Sequence, residues 1–442
     1  MRKRNILSLI IVIVVGVAGL SIGLFYLFNQ SSVTPDGSEE PPSLFQTLWN
    51  QTWGGSSSEE VYTINLDPVN DVYLVGTTDS FGSTKRCFLK YNSTGTLRRD
   101  PKRGGDIGSI ASDSLLNSYI AEETFIVTPF GVEYSTDLYK YNSSGDLQWS
   151  IPDLSMGGIL ADVEGNAYLS AQERYKVHVA KFNTSGDLQW NITWNSIEFI
   201  VAARTAIDSM GNVYLAGEID PGSGFFNILL VKFNSTGDWQ WEITWGGSDV
   251  DYFYEIGIDP LGNIYLSGKT FGDPYTLFLV KYSSTGVWQW NYIWNAVHIN
   301  DETFAISFDS SYNIYVMGLE GHPSIANVSL IKINNLGSHQ WTRSWGGSDR
   351  DLPSLIELDS EDNIYVAGRT ESFGAGLYDI FLLKFNSTGD FQGDFIWGGN
   401  DMEILRGIAL DSSENIHLTG TTLSFGAGDT DIFLIKLSED SS

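Results

Sequence analysis

Asp259-Pro-Leu-Gly-Asn263-Ile-Tyr265-Leu-Ser-Gly268, then Phe278-Leu-Val-Lys281-Tyr-Ser-Ser-Thr-Gly286, then Gln289-Trp290-Asn-Tyr-Ile-Trp294, is one turn of a pattern that fills this chain. The Asp that opens each turn recurs at Asp67, Asp113, Asp162, Asp208, Asp259, Asp309, Asp359 and Asp411, at intervals of 46 to 52 residues. A period of this length marks a repeat architecture and overrides a domain count based on the 442-residue length. Within each unit, short apolar stretches alternate with Gly, Asn, Ser and Thr clusters about every ten residues, the spacing of a strand meander. Four strands, A to D, are predicted per unit. In the fifth they fall at 255–259, 263–268, 277–282 and 287–294.

The two ends of the repeat decide how the units close. The eighth copy stops at Phe433-Leu-Ile-Lys436-Leu and lacks its Gln-Trp strand. Gln46-Thr-Leu-Trp49-Asn-Gln-Thr-Trp53 is such a strand with nothing before it to complete. A stack that takes its last strand from its own beginning is a ring. The predicted fold is therefore all-β: an eight-bladed β-propeller over residues 44–442, with seven blades as the alternative count. Closure removes the exposed strand edges that invite aggregation.

The succession Trp-Gly-Gly, Asp-x-x-Gly-Asn-Ile-Tyr-x-x-Gly and Phe-Leu-x-Lys-Phe-Asn-Ser-Thr-Gly-Asp-x-Gln-Trp resembles the repeat of SBBP-type β-propeller proteins. The resemblance covers Leu44 to Leu437. It implies a propeller, usually seven-bladed, in a family of mostly uncharacterised proteins often found at the surface of bacteria and archaea or secreted by them.

Ahead of the repeat, Arg2, Lys3 and Arg4 precede an uncharged apolar run, Ile6 to Phe28. At about 1.5 Å per residue a helix over that run is roughly 34 Å long, enough to cross a bilayer. Positive charge before it, and Asp36, Glu39 and Glu40 after it, put the start in the cytoplasm and the rest outside. Residues 1–28 are thus expected to be a single-pass anchor, 29–43 a polar linker, and the propeller extracytoplasmic. A cleaved signal peptide and a secreted product are the alternative.

The formal net charge of −29 comes with only 18% charged residues, so the acidity reflects scarce Lys and Arg. Such a field repels nucleic acid and favours cations or basic partners. The single cysteine, Cys87, excludes a disulfide framework and Cys-based metal sites. It is read as a small residue at a strand position where other copies carry Thr, Asn or Asp.

All fourteen Trp fall in strand D, five times as a pair four residues apart, such as Trp190 and Trp194. Residues four apart on a strand share a face, so these pairs are expected to dock one blade on the next. Asp-x-x-x-Asn lacks the ladder of an EF-hand and is read as a turn cap. The Asn-Ser-Thr-Gly turns between strands C and D carry glycosylation sequons at Asn92, Asn142, Asn183, Asn234 and Asn386.

In a meander the A–B and C–D turns share one face, and the Trp-Gly-Gly loops lie on the other, expected to point away from the membrane. There the candidate binding residues are Glu59, Asp251, Asp351 and Glu403, six positions after the loop Trp, with Asp249, Asp349 and Asp401 two positions earlier. A partial ring of carboxylates would hold a cation, calcium being the open choice, or draw in a basic ligand. No other cofactor is expected.

Two functions remain. The first is a cell-surface module that binds a protein or carbohydrate, with the membrane as partner through residues 6–28 and no nucleic acid. The alternative is an enzyme with its site at the axial opening, either quinoprotein-like or a hydrolase or lyase. The five His are dispersed and no nucleophile stands out from the repeat, which favours binding over catalysis.

Overall fold

The computed structural model describes residues 44–440 apart from short stretches, the longest being 296–304. Its strands form eight antiparallel sheets. Seven are meanders of consecutive strands; the fifth runs Val250–Ile258, Ile264–Phe271, Thr276–Tyr282 and Trp288–Asn295. The eighth contains Glu403–Leu410, Ile416–Thr422 and Asp431–Glu439, completed by Phe45–Trp53 from the start of the repeat. That closing strand pairs from Phe45 opposite Glu439 to Trp53 opposite Ile432. The first strand of each blade contacts the first strand of the next, and the eighth returns to the first. The molecule is a closed propeller of eight blades, with the A strands innermost. The expected N-terminal anchor and linker lie outside the described residues. Among the described residues there is no helix long and apolar enough to cross a membrane.

Burial follows position in the blade. Strand C of blade 7, Asp379–Phe385, is buried throughout, because neighbouring blades cover both of its faces. Strand D of blade 4, Trp239–Trp245, alternates exposed and half-buried residues, as an outer strand does. The Gly that ends the Tyr-x-x-Gly motif has a steric cause. A methyl group on Gly76, Gly268, Gly368 or Gly420 would lie 1.9–2.1 Å from a carbonyl oxygen of the adjoining A strand. That carbonyl is thrust forward by a β-bulge in the A strand, for example between Phe253 and Glu255.

Two local expectations need correction. Strand A of blade 5 starts at Val250, five residues before the predicted 255, because the bulge breaks the alternation that marks a strand. Cys87 faces Gly76, the place where Phe278, Phe381 and Phe433 face Gly268, Gly368 and Gly420. The remaining blades carry Asp137, His178, Leu229 and Ser329 at this place, so the position takes Phe in three blades and a polar residue in three others, Asp among them but not the expected Thr or Asn.

The A–B turns are capped as their sequence demands. Asp259 Oδ1 accepts the N–H groups of Leu261 at 3.0 Å and Asn263 at 2.8 Å. Its Oδ2 accepts Asn263 Nδ2 at 2.8 Å and the Tyr265 hydroxyl at 3.0 Å. Lys281 Nζ lies 5.0 Å from the Tyr265 ring centre and donates to the Asn335 carbonyl of the next blade. In blade 8, His417 stands where the others have Tyr, 3.3 Å from Asp411 Oδ2. Burial, helped by Lys436, lowers its pKa to about 4, so it is neutral at pH 7.

Trp residues of strand D join successive blades. Trp190 Nε1 donates to the Ser235 carbonyl of the next blade at 3.0 Å, and its ring packs on Gly237, whose φ of +85° suits glycine. Four residues along the strand in other blades, Trp245, Trp345 and Trp397 meet Phe278, Phe381 and Phe433 of the next strand C at 4.3–4.8 Å. Replacing Trp190 by Ala is expected to cost about 2–3 kcal/mol, less than the ~3–5 of a fully buried aromatic because Trp190 is half-exposed. The same change at Trp239, which is 55% exposed, should stay within about 0.5 kcal/mol. Urea melts of residues 44–442 measure both.

Candidate functional site

The carboxylates singled out in the sequence separate into two groups. Glu59, Asp251, Asp351 and Glu403 lie in the first turn-side residues of strand A and are 0–2% exposed. Each braces its own Trp-Gly-Gly loop and the end of strand B. Glu403 Oε2 accepts the Gly399 N–H at 3.0 Å, and Oε1 accepts the Thr422 hydroxyl at 2.7 Å. Glu59 does the same with Gly55 at 3.0 Å and Thr78 at 2.6 Å. Asp251 takes Gly247 and Thr270, and Asp351 takes Gly347 and Thr370. Asp249, Asp349 and Asp401 are exposed on the loops. The backbone N–H groups of Asp349 and Asp401 donate to Ser372 Oγ and Ser424 Oγ, which fixes those loops. Among the described residues no three His, Cys, Asp or Glu side chains come together in a way that could hold a metal ion.

Each buried brace faces one more oxygen, from strand C of the preceding blade. A methyl on Gly398 would lie 1.7 Å from Asp379 Oδ1 and 2.4 Å from Glu403 Oε2. On Gly54 it would lie 1.9 Å from Asp431 Oδ1 and 2.3 Å from Glu59 Oε2. Around Gly246 and Gly346 the partners of Asp251 and Asp351 are Asn227 and Asn327. Two blade junctions thus pair an acid with an amide, and two pair an acid with an acid. Burial pushes the carboxyls of Asp379 and Asp431 above the usual range, against N–H groups of their own loops that pull them down.

The five sequon Asn residues head the C–D turns. Asn234 Oδ1 accepts the N–H groups of Thr236 at 3.1 Å and Asp238 at 2.8 Å, and Asn386 repeats this with Thr388 and Asp390. Asn183 does so with Ser185 and Asp187, Asn92 with Thr96, and Asn142 with Asp146. In all five the side-chain oxygen is committed to the turn.

A different constellation was not foreseen. A cavity of about 380 Å³ opens among the inner strands of blades 6 to 8. Leu319, Leu352, Pro353, Leu355, Ile404 and Leu405 give it apolar lining, and Arg350, Arg369 and Arg406 line it as well. Arg350 precedes the first residue of strand A in blade 7, Asp351–Leu358. Arg369 pairs with Leu352 near the end of strand B. Arg406 is the bulged residue of strand A in blade 8, and a bulge re-aims the side chain it carries. These positions place the cavity toward the Trp-Gly-Gly end of the axis. Arg350 Nη1 lies 4.0 Å from Glu371 Oε1, while its Nε is buried without a hydrogen-bond partner. Arg369 lies over the Tyr378 ring at 4.9 Å. A sequence signal did exist: each Arg breaks the repeat. Where Arg369 stands opposite Leu352, the register has Thr77, Lys269 and Thr421 in other blades. The bulge that carries Arg406 carries Tyr62, Tyr254 and Ser354 elsewhere.

No family model matches the chain, and no curated protein does. Solved structures do match, at the level of fold. Sqt1 from Chaetomium thermophilum is 10% identical, covering 88% of this chain and 100% of its own, with a TM-score of 0.53. The WD40 domain of SCAP from fission yeast is 11% identical, covering 90% and 96%, with a TM-score of 0.51. The β-propeller domain of the Trilobed protease from Pyrococcus furiosus is 11% identical, covering 77% and 96%, with a TM-score of 0.41. The first two are similar in architecture.

Proposed function

We propose that this protein is a membrane-anchored binding module of the cell surface, whose propeller presents the Trp-Gly-Gly end of its axis to a ligand or protein partner. The observation that carries the reading is the cavity among the inner strands of blades 6 to 8, lined by arginines that depart from the repeat. Pockets of this size with apolar walls and a few convergent polar groups are where ligands bind. The basic start at Arg2, Lys3 and Arg4, the uncharged apolar run from Ile6 to Phe28 and the resemblance to SBBP-type repeats support the extracytoplasmic address. The closing strand begins at Phe45, at the end of blade 8 that carries the C–D turns in the other blades. This supports a propeller whose opposite, Trp-Gly-Gly face looks outward.

Photo-crosslinking from the two faces tests this in intact cells. A benzophenone side chain placed at Ser354, in the cavity wall, is expected to capture a ligand or partner. The same group at Thr388, on an exposed C–D turn, is expected to stay silent. Capture from Thr388 alone, or from neither position, would overturn the reading.

A further inference from the structure

We infer that the three-arginine cavity is a receptor for a carboxylate carried on a compact, partly apolar body; this deepens the binding reading above and rests on it. Cations are scarce in this chain. The chain has 25 Lys and Arg against 54 Asp and Glu. Eight of those cations are strand C lysines; seven, such as Lys281 and Lys384, sit over the Tyr residues at the far end of the blades, and Lys436 pairs with Asp411 beside His417. Three more meet in one cavity, drawn from two neighbouring blades. Collecting like charges in one place costs energy unless an anion arrives to offset it.

Local carboxylates do not neutralise the group. Glu371 reaches only Arg350, at 4.0 Å, and is shared with the Tyr378 hydroxyl. Among the described residues no carboxylate pairs with Arg369 or Arg406. The Arg350 Nε–H, buried and without an acceptor, marks a hydrogen bond that the protein itself leaves open. Guanidinium groups bind carboxylates as planar forks, two N–H groups to two oxygens, so such an opening matches that ligand in shape as well as charge. Leu319, Leu352, Pro353 and Ile404 in the lining favour a ligand with an apolar or ring-like part close to the carboxylate. The cavity volume of about 380 Å³ suits one sugar or one to two amino-acid residues. Symmetry supports the assignment. The structural residues of this ring recur from blade to blade, whereas these three arginines do not.

Calorimetric titration of the full chain with three probes tests the inference. The probes are galacturonate, an acetylated Ala-Leu dipeptide with a free C-terminal carboxylate, and inorganic sulfate. One of the two carboxylates is expected to bind with Kd at or below about 1 mM, more weakly as salt is raised. Arg406→Gln is expected to weaken it by roughly tenfold or more, with Arg406→Lys in between, because the ammonium keeps the charge but loses the fork. Arg406 is exposed, so these variants should melt with the wild type; if they do not, Arg350→Gln supplies the same comparison. Response to galacturonate alone assigns a sugar acid, and response to the dipeptide alone assigns a peptide terminus. Binding of no carboxylate, sulfate binding alone, or equal binding by wild type, Arg406→Gln and Arg350→Gln would overturn the inference. The axial binding reading would still stand if Ser354 captured a partner.

Discussion

A chain that begins at Gly54 is expected to lose its cooperative thermal transition and to aggregate, although it keeps every residue of the cavity and 32 of the 33 described strands. The cause lies in what Phe45–Trp53 holds. It supplies the outer strand of blade 8, and its removal exposes Asp431–Glu439 as an unpaired edge. It also carries the joint between the last blade and the first. Trp49 and Trp53 pack on a cluster that includes Val61, Val72, Leu74 and Leu89 of blade 1. Trp49 Nε1 donates to the Ser93 carbonyl of that blade at 3.3 Å. Two half-buried Trp residues at about 2–3 kcal/mol each, with the buried Phe45 at ~3–5, already reach the range of a whole domain's stability. That range is about 5–15 kcal/mol. Calorimetry of residues 44–442 and 54–442 makes the comparison. A second variant guards against a trivial result: the sequence of residues 45–53 is added after Glu439 through an Asn-Ser-Thr-Gly turn like those of the other blades. This restores the missing strand from the other direction and is expected to recover the transition. Equal melting of the two original chains would mean that the ring does not depend on its closing strand.

Blade number and closure were legible because they depend on local chemistry repeated many times. Asp259, Asn263 and Tyr265 cap one turn within seven residues, and the same seven-residue logic returns in each copy. Strand D was legible for a similar reason, since Trp190 and Trp194 announce a face through their spacing alone. The start of strand A was not. At Tyr254 an extra residue slips the alternation, so the polar and aromatic residues before it read as loop. This displaced Asp251 and its counterparts from a loop, where acids face water, into a strand, where they are buried against a neighbouring blade. The cavity was hidden more deeply. Arg350, Arg369 and Arg406 come from a loop end and two strands that meet only when the inner strands of adjacent blades pack. No pattern within a single repeat contains that contact.

Replacing Asp379 or Asp431 by Asn is expected to stabilise the protein at pH 7, an unusual direction for a buried substitution. Asn227 and Asn327 occupy the equivalent places opposite Asp251 and Asp351, so the blade junction already accepts the amide. With its NH2 turned toward the acid an amide can donate to it, whereas an ionised Asp379 can only set one acceptor against another at Glu403; as placed, the facing oxygens of Asp379, Asn227 and Asn327 are all buried without a partner. Removing that mismatch should be worth roughly 1–3 kcal/mol per junction. The pH dependence has a definite sign. The folded carboxyls of Asp379 and Asp431 titrate above their unfolded value, so folding favours their protonated form. Their contribution is full below the unfolded pKa of about 3.9 and is lost as pH rises through the folded value. The wild type should therefore gain stability as pH falls through the folded pKa of these two carboxyls, a gain opposed at lower pH by acids held ionised by lysine, such as Asp411 beside Lys436. D379N and D431N should flatten that rise by starting from a higher melting temperature at pH 7. Melts in calcium and in chelator separate this from the other chemistry two facing carboxylates allow. If D379N melts lower than wild type at pH 7, and only when calcium is present, the junction holds a cation between its acids and not a proton.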